Sequence, residues 1–485
     1  MNWRNYTFIG VLLGIGYVIQ PLWFMGIVGV SWLLYTITLK HSISFKAGWY
    51  IWTVKTFFVF AWIWQTYPVD WGGISPALSG VLIFSYWTLT ALSFGAAGGL
   101  LVVVYKLVRR YGLLQWWLVL APLTWLLADL LGSILFSLVM SGSGGGINNN
   151  MSMGYIGYLL AGHQWLILVA SVGGVYALDV VAVSFGALVI FLYKRFGIQA
   201  VIISFGIVMV SNFVPVPSSH RSQTYQVATI NTTINEQNWQ TAATTTRTAL
   251  YEAFAVAKST GAEYIIFPED SRVFNHDLPE STLRALLIFE NTNTDAVFVE
   301  SARTEISKGS VVRAVVFDAK TGALATTDKR YLVPQGEYLS YIYSLPLGWL
   351  RGRDTSLFVA DRFGYVLGEQ TSQAQFTDSM PAVLFCFESV DARGVRKILQ
   401  ERTTAAPFVA HIISHAWTHD GRLVRQQLTN MLRVQALWNR IDIVVAGNYA
   451  PSEVIFASGQ VAYPEIVARG EVWNVALTSL PVRSH

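Results

Sequence analysis

The stretch AVLFCFES, residues 382–389, runs apolar residues into the chain's single cysteine, Cys386, and sets a glutamate two positions beyond it. The run reads as a short strand, with Cys386 at its end. A lone Cys forms no internal disulfide. A free Cys is often a small buried hydrophobe, so these eight residues alone leave two readings open, core packing or a nucleophile. The rest of the chain bears on that choice.

The 485 residues are 53% apolar and only 13% charged, which is low in charge for a soluble protein of this length. The average hides a division. Residues 1–213 carry nine Lys and Arg, three Asp and no Glu, whereas the remainder holds 24 of the 33 basic and 26 of the 29 acidic residues. The first part reads as membrane and the second as an ordinary globular domain. The net charge of +4 is too weak to argue for nucleic acid, and no basic stripe of the kind such binding needs is present.

A spanning helix takes about 20 mostly apolar residues. Candidate spans fall at 6–20, 22–39, 49–66, 80–105, 113–139, 164–193 and 197–213, the first two forming a tight hairpin around Gln20-Pro21. Lys and Arg mark cytoplasmic loops. Arg4, Lys40, Lys46, Lys106, Arg109, Arg110, Lys194 and Arg195 fall on one side, while QTYPVDWGGISPALSG and SGSGGGINNNMSMGYIGYLLAGH contain neither residue. The expectation is an inner N-terminus, seven crossings, and everything after Phe213 outside. Lys55 falls within the third span and is expected to snorkel to the interface. Asp129 and Asp179 also lie within spans, each expected to pair with a neighbouring helix or to sit near a span end.

After a Pro- and Ser-rich linker, residues 214–224, strands and helices alternate through 225–485, which predicts a layered α/β domain. QVATINTTI, EYIIFPE, DAVFVESART, VVRAVVFDAKTGAL, PAVLFCFES, PFVAHIIS and DIVVAGNY read as strands, EVIFASGQVAY as a hairpin, and 238–261 and 424–438 as helices. Segment 339–379 has weak periodicity and reads as a lid or binding loop at the bilayer surface.

Three motifs end or follow strands: FPED with Glu269, DKRYLVPQGEY with Lys329 and Glu337, and FCFES with Cys386 and Glu388. Their chemistry is complementary. A carboxylate can take the thiol proton, an ammonium favours the thiolate, and the same ammonium can stabilise an oxyanion. A surface ion pair is the alternative for each charged member. HIISHAWTH spaces His411, His415 and His419 by four, as a zinc-binding helix face would. But FVAHIIS is β-branched and apolar, so the expectation is a buried strand histidine at 411, His415 near the pocket rim, and no metal.

In order and spacing, Glu269, Lys329 and Cys386 resemble the nitrilase, or carbon–nitrogen hydrolase, superfamily, whose fold is an αββα sandwich. A domain of that kind placed after a bundle of spans is similar to the apolipoprotein N-acyltransferase family. The resemblance is strongest at YIIFPED, DKRYLVPQGEYLSY and AVLFCFES, and extends to VATINTTINEQNW and AGNYAPSEVIFASGQV. It implies Glu269 as general base, Lys329 as oxyanion stabiliser and Cys386 as nucleophile. It implies supporting or substrate-binding roles for Glu337, Tyr338, Phe387, Glu388 and Trp239, with no cofactor. It implies a bacterial inner-membrane acyltransferase with its catalytic domain on the outer face. The donor would be a membrane phospholipid and the acceptor a diacylglyceryl lipoprotein. The chain departs from the family pattern at Phe387, where Tyr is common, at Ser414-His415-Ala416-Trp417, and at Gln435-Ala436-Leu437-Trp438, where a Glu is usual. The family also usually ends with a further span, for which VWNVALTSLPVRSH is too short and too polar. A membrane-tethered amidase using water, and a catalytically silent assembly protein, are the rival readings.

Overall fold

A computed structural model describes residues 3–39, 43–69, 75–111, 116–214, 224–274, 278, 280–290, 294–351, 364–419 and 421–482. Among the described residues the apolar first part forms seven α-helices: α1 (Trp3–Gly14), α2 (Trp23–Leu39), α3 (Phe45–Val59), α4 (Pro76–Arg110), α5 (Trp117–Val139), α6 (Ala170–Phe196) and α7 (Ile198–Ser211). The α1–α2 reversal passes through 3₁₀ turns at Ile15–Tyr17 and Gln20–Leu22, with Pro21 in the second. There the missing proline N–H costs nothing.

Among the described residues, four helices are long and apolar enough to cross a membrane: Gln20–Thr38, Pro76–Val108, Val119–Val139 and Leu166–Phe196. Helices α1, α3 and α7, at 12, 15 and 14 residues, are shorter than the roughly 20 a crossing takes. The first two continue in 3₁₀ form, α3 through Ala61–Thr66.

Lys55 does not snorkel. It is buried in α3, its Nζ 3.4 Å from Asp129 Oδ1 on α5 and 4.8 Å from the centre of the Trp52 ring. A charge held away from water needs such a partner. Asp179 instead accepts the Gly157 backbone N–H at 2.6 Å.

The outer domain is built on β1 (Thr224–Thr232), β2 (Tyr264–Ile266), β3 (Val297–Ile306), β4 (Gly309–Asp318), β5 (Ala323–Asp328), β6 (Ala382–Phe385), β7 (Val409–Ser414), β8 (Ile443–Asn448), β9 (Glu453–Ile455), β10 (Val461–Ala462), β11 (Glu465–Arg469) and β12 (Trp473–Pro481). One layer runs β11-β12-β1-β2-β3-β4-β5 and the other β6-β7-β8-β9-β10, joined where Thr232 pairs with Asn448. Their inner faces pack Val227, Ile266 and Val299 with Val383, Phe385, Ile412 and Ala446. Outside the first layer lie α8 (Glu236–Ser259) and α9 (Glu280–Glu290); outside the second lie α11 (Gly394–Gln400) and α12 (Arg422–Asn439), with α10 (Tyr341–Arg351) between β5 and β6 in sequence. This is an αββα sandwich. The stretch VWNVALTSLPVRSH supplies β12, which pairs antiparallel with β1 from Thr224–Pro481 to Thr232–Trp473.

One expectation changes. Segment 339–379 is not structureless: 341–351 form α10, while 352–363 lie outside the described residues. The linker residues 215–223 also lie outside them.

Helix α12 fixes the domain on the bundle, because it is apolar on two faces. Leu432 and Ala436 face the sheet layer, while Val424, Leu428, Met431 and Val434 join the core of the bundle. Buried hydrogen bonds cross the boundary from Gln427 Nε2 to Val59 O at 2.8 Å and from Ser152 Oγ to Val390 O at 2.7 Å. Gly174, at φ +61°, lets α6 approach the Trp438 ring, where a Cβ would fall 2.5 Å from Cε3. Both the positive φ and the contact call for glycine.

Candidate active site

Each motif leaves a strand at one end of the sandwich. After β2 the chain turns through Glu269, Asp270 and Arg272, the last two in left-handed conformations at φ +58° and +50°. Such strain costs about 1–3 kcal/mol per residue and needs outside support. Asp270 provides it: its Oδ1 accepts Arg303 N at 3.0 Å and Arg272 Nε at 2.9 Å, and its own N–H donates to Ser301 Oγ at 2.9 Å.

Lys329 follows β5, its backbone N–H bonded to Val312 O at 2.8 Å. Its Nζ donates to Glu269 Oε1 at 2.8 Å and to Glu337 Oε1 at 2.6 Å. Glu337 is fixed in turn by accepting the Val333 N–H at 2.8 Å. Cys386 follows β6 and opens a 3₁₀ turn, Cys386–Val390. Its Sγ lies 3.9 Å from Ser414 O. Glu269, Lys329, Glu337 and Cys386 line one cleft of about 150 Å³, closed by Asp270, Tyr365, Ser414 and Trp417. Three motifs, the first two of them 60 residues apart in sequence, thus converge.

The electrostatics follow from burial. Burial raises the Glu269 carboxyl to about 7, opposed by Lys329 and assisted by Glu337. Burial opposes the Lys329 charge, but Glu269 and Glu337 more than offset it and hold its pKa above the ordinary lysine value. Burial and Glu269 push the Cys386 thiol up to about 12 against the pull of Lys329. At rest the site holds a protonated thiol beside a carboxyl poised near neutral pH. A thiol held in that state could act as a nucleophile only with a base to take its proton as the new bond forms.

The supporting residues divide. Glu337 faces the cleft. Glu388 is buried behind it, Oε1 accepting Arg330 N at 2.7 Å and Oε2 accepting Phe385 N at 3.1 Å. Trp239 reaches the site at one remove, its ring 5.3 Å from the Arg272 guanidinium. Phe387 and Tyr338 line a separate cavity on the bundle side, where Tyr338 donates to Met140 O at 2.9 Å. His415 is not at the rim. It is buried with His411 beside Arg425 and Glu453, between the second sheet layer and α12. Burial holds His411 at about 4 and His415 at about 3. Trp438 stands where the resemblance called for Glu and Gln435 where it called for Arg; the Gln435 amide accepts Val395 N at 2.9 Å and donates to Ser389 O at 2.8 Å, fixing the turn after Cys386.

Sequence reasoning missed Asp270, Tyr365 and Ser414 as cleft residues. Tyr365 carried no local signal, because it is brought in by a lone bridge to Ser310. Trp417 did carry one, as the residue that kept the family pattern after β7. Its ring packs edge-on against Trp62 of the bundle, centroids 5.8 Å apart.

No family profile matches the chain, and neither does any curated protein sequence. Solved structures similar to it include a member of the nitrilase superfamily, a CN-hydrolase superfamily protein and a glutamine-dependent NAD+ synthetase. Nit3 of Saccharomyces cerevisiae, from branch 10 of the nitrilase superfamily, is 14% identical, over 55% of this chain and 93% of that one, with a TM-score of 0.37. A CN-hydrolase superfamily protein of Xanthomonas campestris, with an arsenic adduct in its active site, is 14% identical over 53% and 91%, with a TM-score of 0.36. A glutamine-dependent NAD+ synthetase of Acinetobacter baumannii is 16% identical over 54% of this chain and 48% of that one, with a TM-score of 0.33.

Proposed function

We propose that the protein is a membrane acyltransferase. It moves a fatty acyl chain from a phospholipid, through a thioester on Cys386, to the free α-amine of a diacylglyceryl-cysteine lipoprotein. The observation that carries this reading is the position of the thiol. The cleft holding Cys386, Lys329 and Glu269 has Trp417 in its wall, and Trp417 packs on Trp62 of an apolar helical bundle. A water-soluble amide would gain nothing from that site, whereas two lipid substrates would. In this reading all seven helices cross the bacterial inner membrane, the three short ones with their flanking turns, and the catalytic domain lies on the outer face; the distribution of Lys and Arg supports that orientation.

In the first half-reaction Glu269 accepts the Sγ proton as sulfur attacks the ester carbonyl. The oxyanion forms beside the Lys329 ammonium. The C–O bond then breaks, and the departing alkoxide recovers the proton from Glu269 as lysophospholipid. In the second, the amine nitrogen attacks the thioester carbonyl and the C–S bond breaks. An amine proton passes by way of Glu269 to sulfur, restoring the thiol. Each half-reaction leaves the site as it began, which is ping-pong chemistry.

The test is intact mass of the purified protein after incubation with phospholipid and no acceptor. An acyl increment that Cys386→Ala abolishes, that hydroxylamine releases, and that a diacylglyceryl peptide with a free amine discharges is the expected result. An adduct that survives Cys386→Ala, or no adduct at all, overturns the reading.

A further inference from the structure

The connection between α5 and α6 is buried, whereas connections usually run over a surface. Every residue from Met151 to Ala161 is buried, and the chain turns there through a 3₁₀ helix, Ile156–Gly162. Buried backbone groups have to find partners. Tyr17 donates its hydroxyl to Tyr155 O at 2.8 Å, and Asp179 Oδ1 accepts the Gly157 N–H at 2.6 Å. Arg433 of α12 donates from Nη1 to Ala161 O at 2.6 Å. The segment is thereby tied to the bundle on one side and to the outer domain on the other.

Two adjacent residues of this segment reach the supports of the catalytic cleft. Ser152 meets the turn that carries the nucleophile. Val390 closes that turn, and the last carbonyls of a helical turn have no partner within it. Val390 O accepts the Ser152 N–H at 3.0 Å and the Ser152 Oγ–H at 2.7 Å. One residue thus fills both lone pairs of one carbonyl. Inside the turn Ser389 Oγ donates to Cys386 O at 2.7 Å, which carries the constraint back to the nucleophile. The Ser152 hydroxyl proton is committed to Val390 O, so the Tyr158 hydroxyl, 2.9 Å away, donates to Ser152 Oγ. Next in sequence, Met153 Sδ accepts Trp62 Nε1 at 3.1 Å, and Trp62 is the ring against which Trp417 of the cleft wall packs.

We propose that Ser152 is a positioning residue for Cys386: from within the helical bundle it holds the 386–390 turn so that the thiol stays in place beside Lys329 and Glu269. The outer domain holds the same turn at two earlier points. Glu388 accepts the Phe385 N–H, and Gln435 donates to Ser389 O. Val390 is the point held from the bundle. The bundle therefore completes the catalytic cleft as well as carrying it. A reacting atom misplaced by about 1 Å costs about a hundredfold in rate, so the loss of one of the two bonds to Val390 O is expected to cost about tenfold. Acyl loading as a readout rests on the acyltransferase reading; the placement of the thiol does not.

The experiment uses the whole chain in detergent. Iodoacetamide reports on Cys386 alone, because it is the chain's single cysteine, and its alkylation is followed by intact mass. Single-turnover acyl loading from phospholipid is measured in parallel over a range of lipid concentrations. Ser152→Ala should slow both about tenfold and leave the lipid concentration for half-maximal loading unchanged. Tyr17→Phe breaks a buried bond in the same segment without touching Val390. It should lower the unfolding temperature and leave both rates at the wild-type value. If Ser152 only supports packing, its loss loosens the turn and speeds alkylation of a less buried thiol, and Tyr17→Phe does the same. That pattern, or rates indifferent to Ser152→Ala, overturns the proposal. Should the stranded Tyr158 hydroxyl keep Ser152→Ala from folding, the double variant Ser152→Ala/Tyr158→Phe removes both partners at little cost and carries the same expectations. Alkylation slowed by Ser152→Ala, with no wild-type thioester, keeps the proposal and removes the acyltransferase reading. A wild-type thioester, with Ser152→Ala matching wild type in both rates, keeps that reading and removes the proposal.

Discussion

The Glu388 carboxylate accepts the backbone N–H of Arg330 at 2.7 Å with one oxygen, while the other takes the N–H of Phe385 at 3.1 Å. Those two residues adjoin Lys329 and Cys386. In the proposed reaction one buried side chain thus holds the oxyanion cation and the nucleophile in register, which would make Glu388 a positioning residue. Glu388→Gln keeps one acceptor and turns an amide N–H₂ toward the other backbone N–H. A buried donor left unsatisfied costs about 1–3 kcal/mol. The expected result is a lower unfolding temperature and slower acyl loading, with the pH at half-maximal loading unmoved. A shifted pH profile would instead make Glu388 part of the proton chemistry.

The Glu269 carboxyl, raised to about 7 by burial, gives the acyl-loading rate a pH dependence of definite sign. The ionised form accepts the thiol proton, so the rate should rise as pH rises through about 7 and fall about tenfold per unit well below it. Glu269→Gln should lose about 10²–10⁴ in rate and flatten the profile. Single-turnover loading measured from pH 5 to 9 checks both; an unchanged profile in Glu269→Gln would assign the ionisation to another group.

His411 and His415 are held near 4 and 3 by burial, His415 further by Arg425. Unfolded, each titrates at about 6.5. Between those values the unfolded chain binds more protons than the folded one, so stability falls as pH drops from about 6.5 toward 4 and is unaffected above. The groups facing the pair are Arg425 on α12 and Glu453 on β9, whose carboxyl burial raises. The His415 ring has no hydrogen-bond partner among the described residues, so His415→Leu removes one titration without breaking a side-chain bond. The unfolding temperature of this variant should depend less steeply on pH across that window than that of wild type.

The three motifs were legible because each is local: a strand end, then a charged or nucleophilic residue within a few positions. Strand period and turn residues likewise placed β1 through β10. What was not legible depends on distant partners. β12 looked like a failed span because its apolar residues alternate with polar ones, and only pairing with β1 explains that alternation. Helix α10 was hidden by Pro346 and Gly348. For Glu388 the resemblance implied a supporting or substrate-binding role; a 3₁₀ turn at Cys386–Val390 sends it behind the cleft. Lys55 looked free to snorkel because its partner Asp129 lies 74 positions away.

Helix α10 follows the catalytic loop directly. Its Tyr343 hydroxyl lies 3.0 Å from Ser85 Oγ of α4, a helix long and apolar enough to cross a membrane, while Leu345 and Trp349 are 69% and 93% exposed. A tryptophan so exposed on a helix anchored to such a helix is suited to the bilayer interface, where an amphipathic ring sits at headgroup level. Trp349→Ser should then weaken contact with a bilayer without touching the cleft. Acyl loading from phospholipid vesicles is expected to slow by about fivefold or more, since one buried aromatic side chain contributes about 1.5–3 kcal/mol to an apolar contact and part of that is lost to a neighbouring Leu345 taking its place. Loading from detergent-solubilised lipid, where no bilayer has to be engaged, should match wild type. Equal slowing in both settings would mean that α10 acts on the cleft itself, and no slowing in either would detach it from lipid entry.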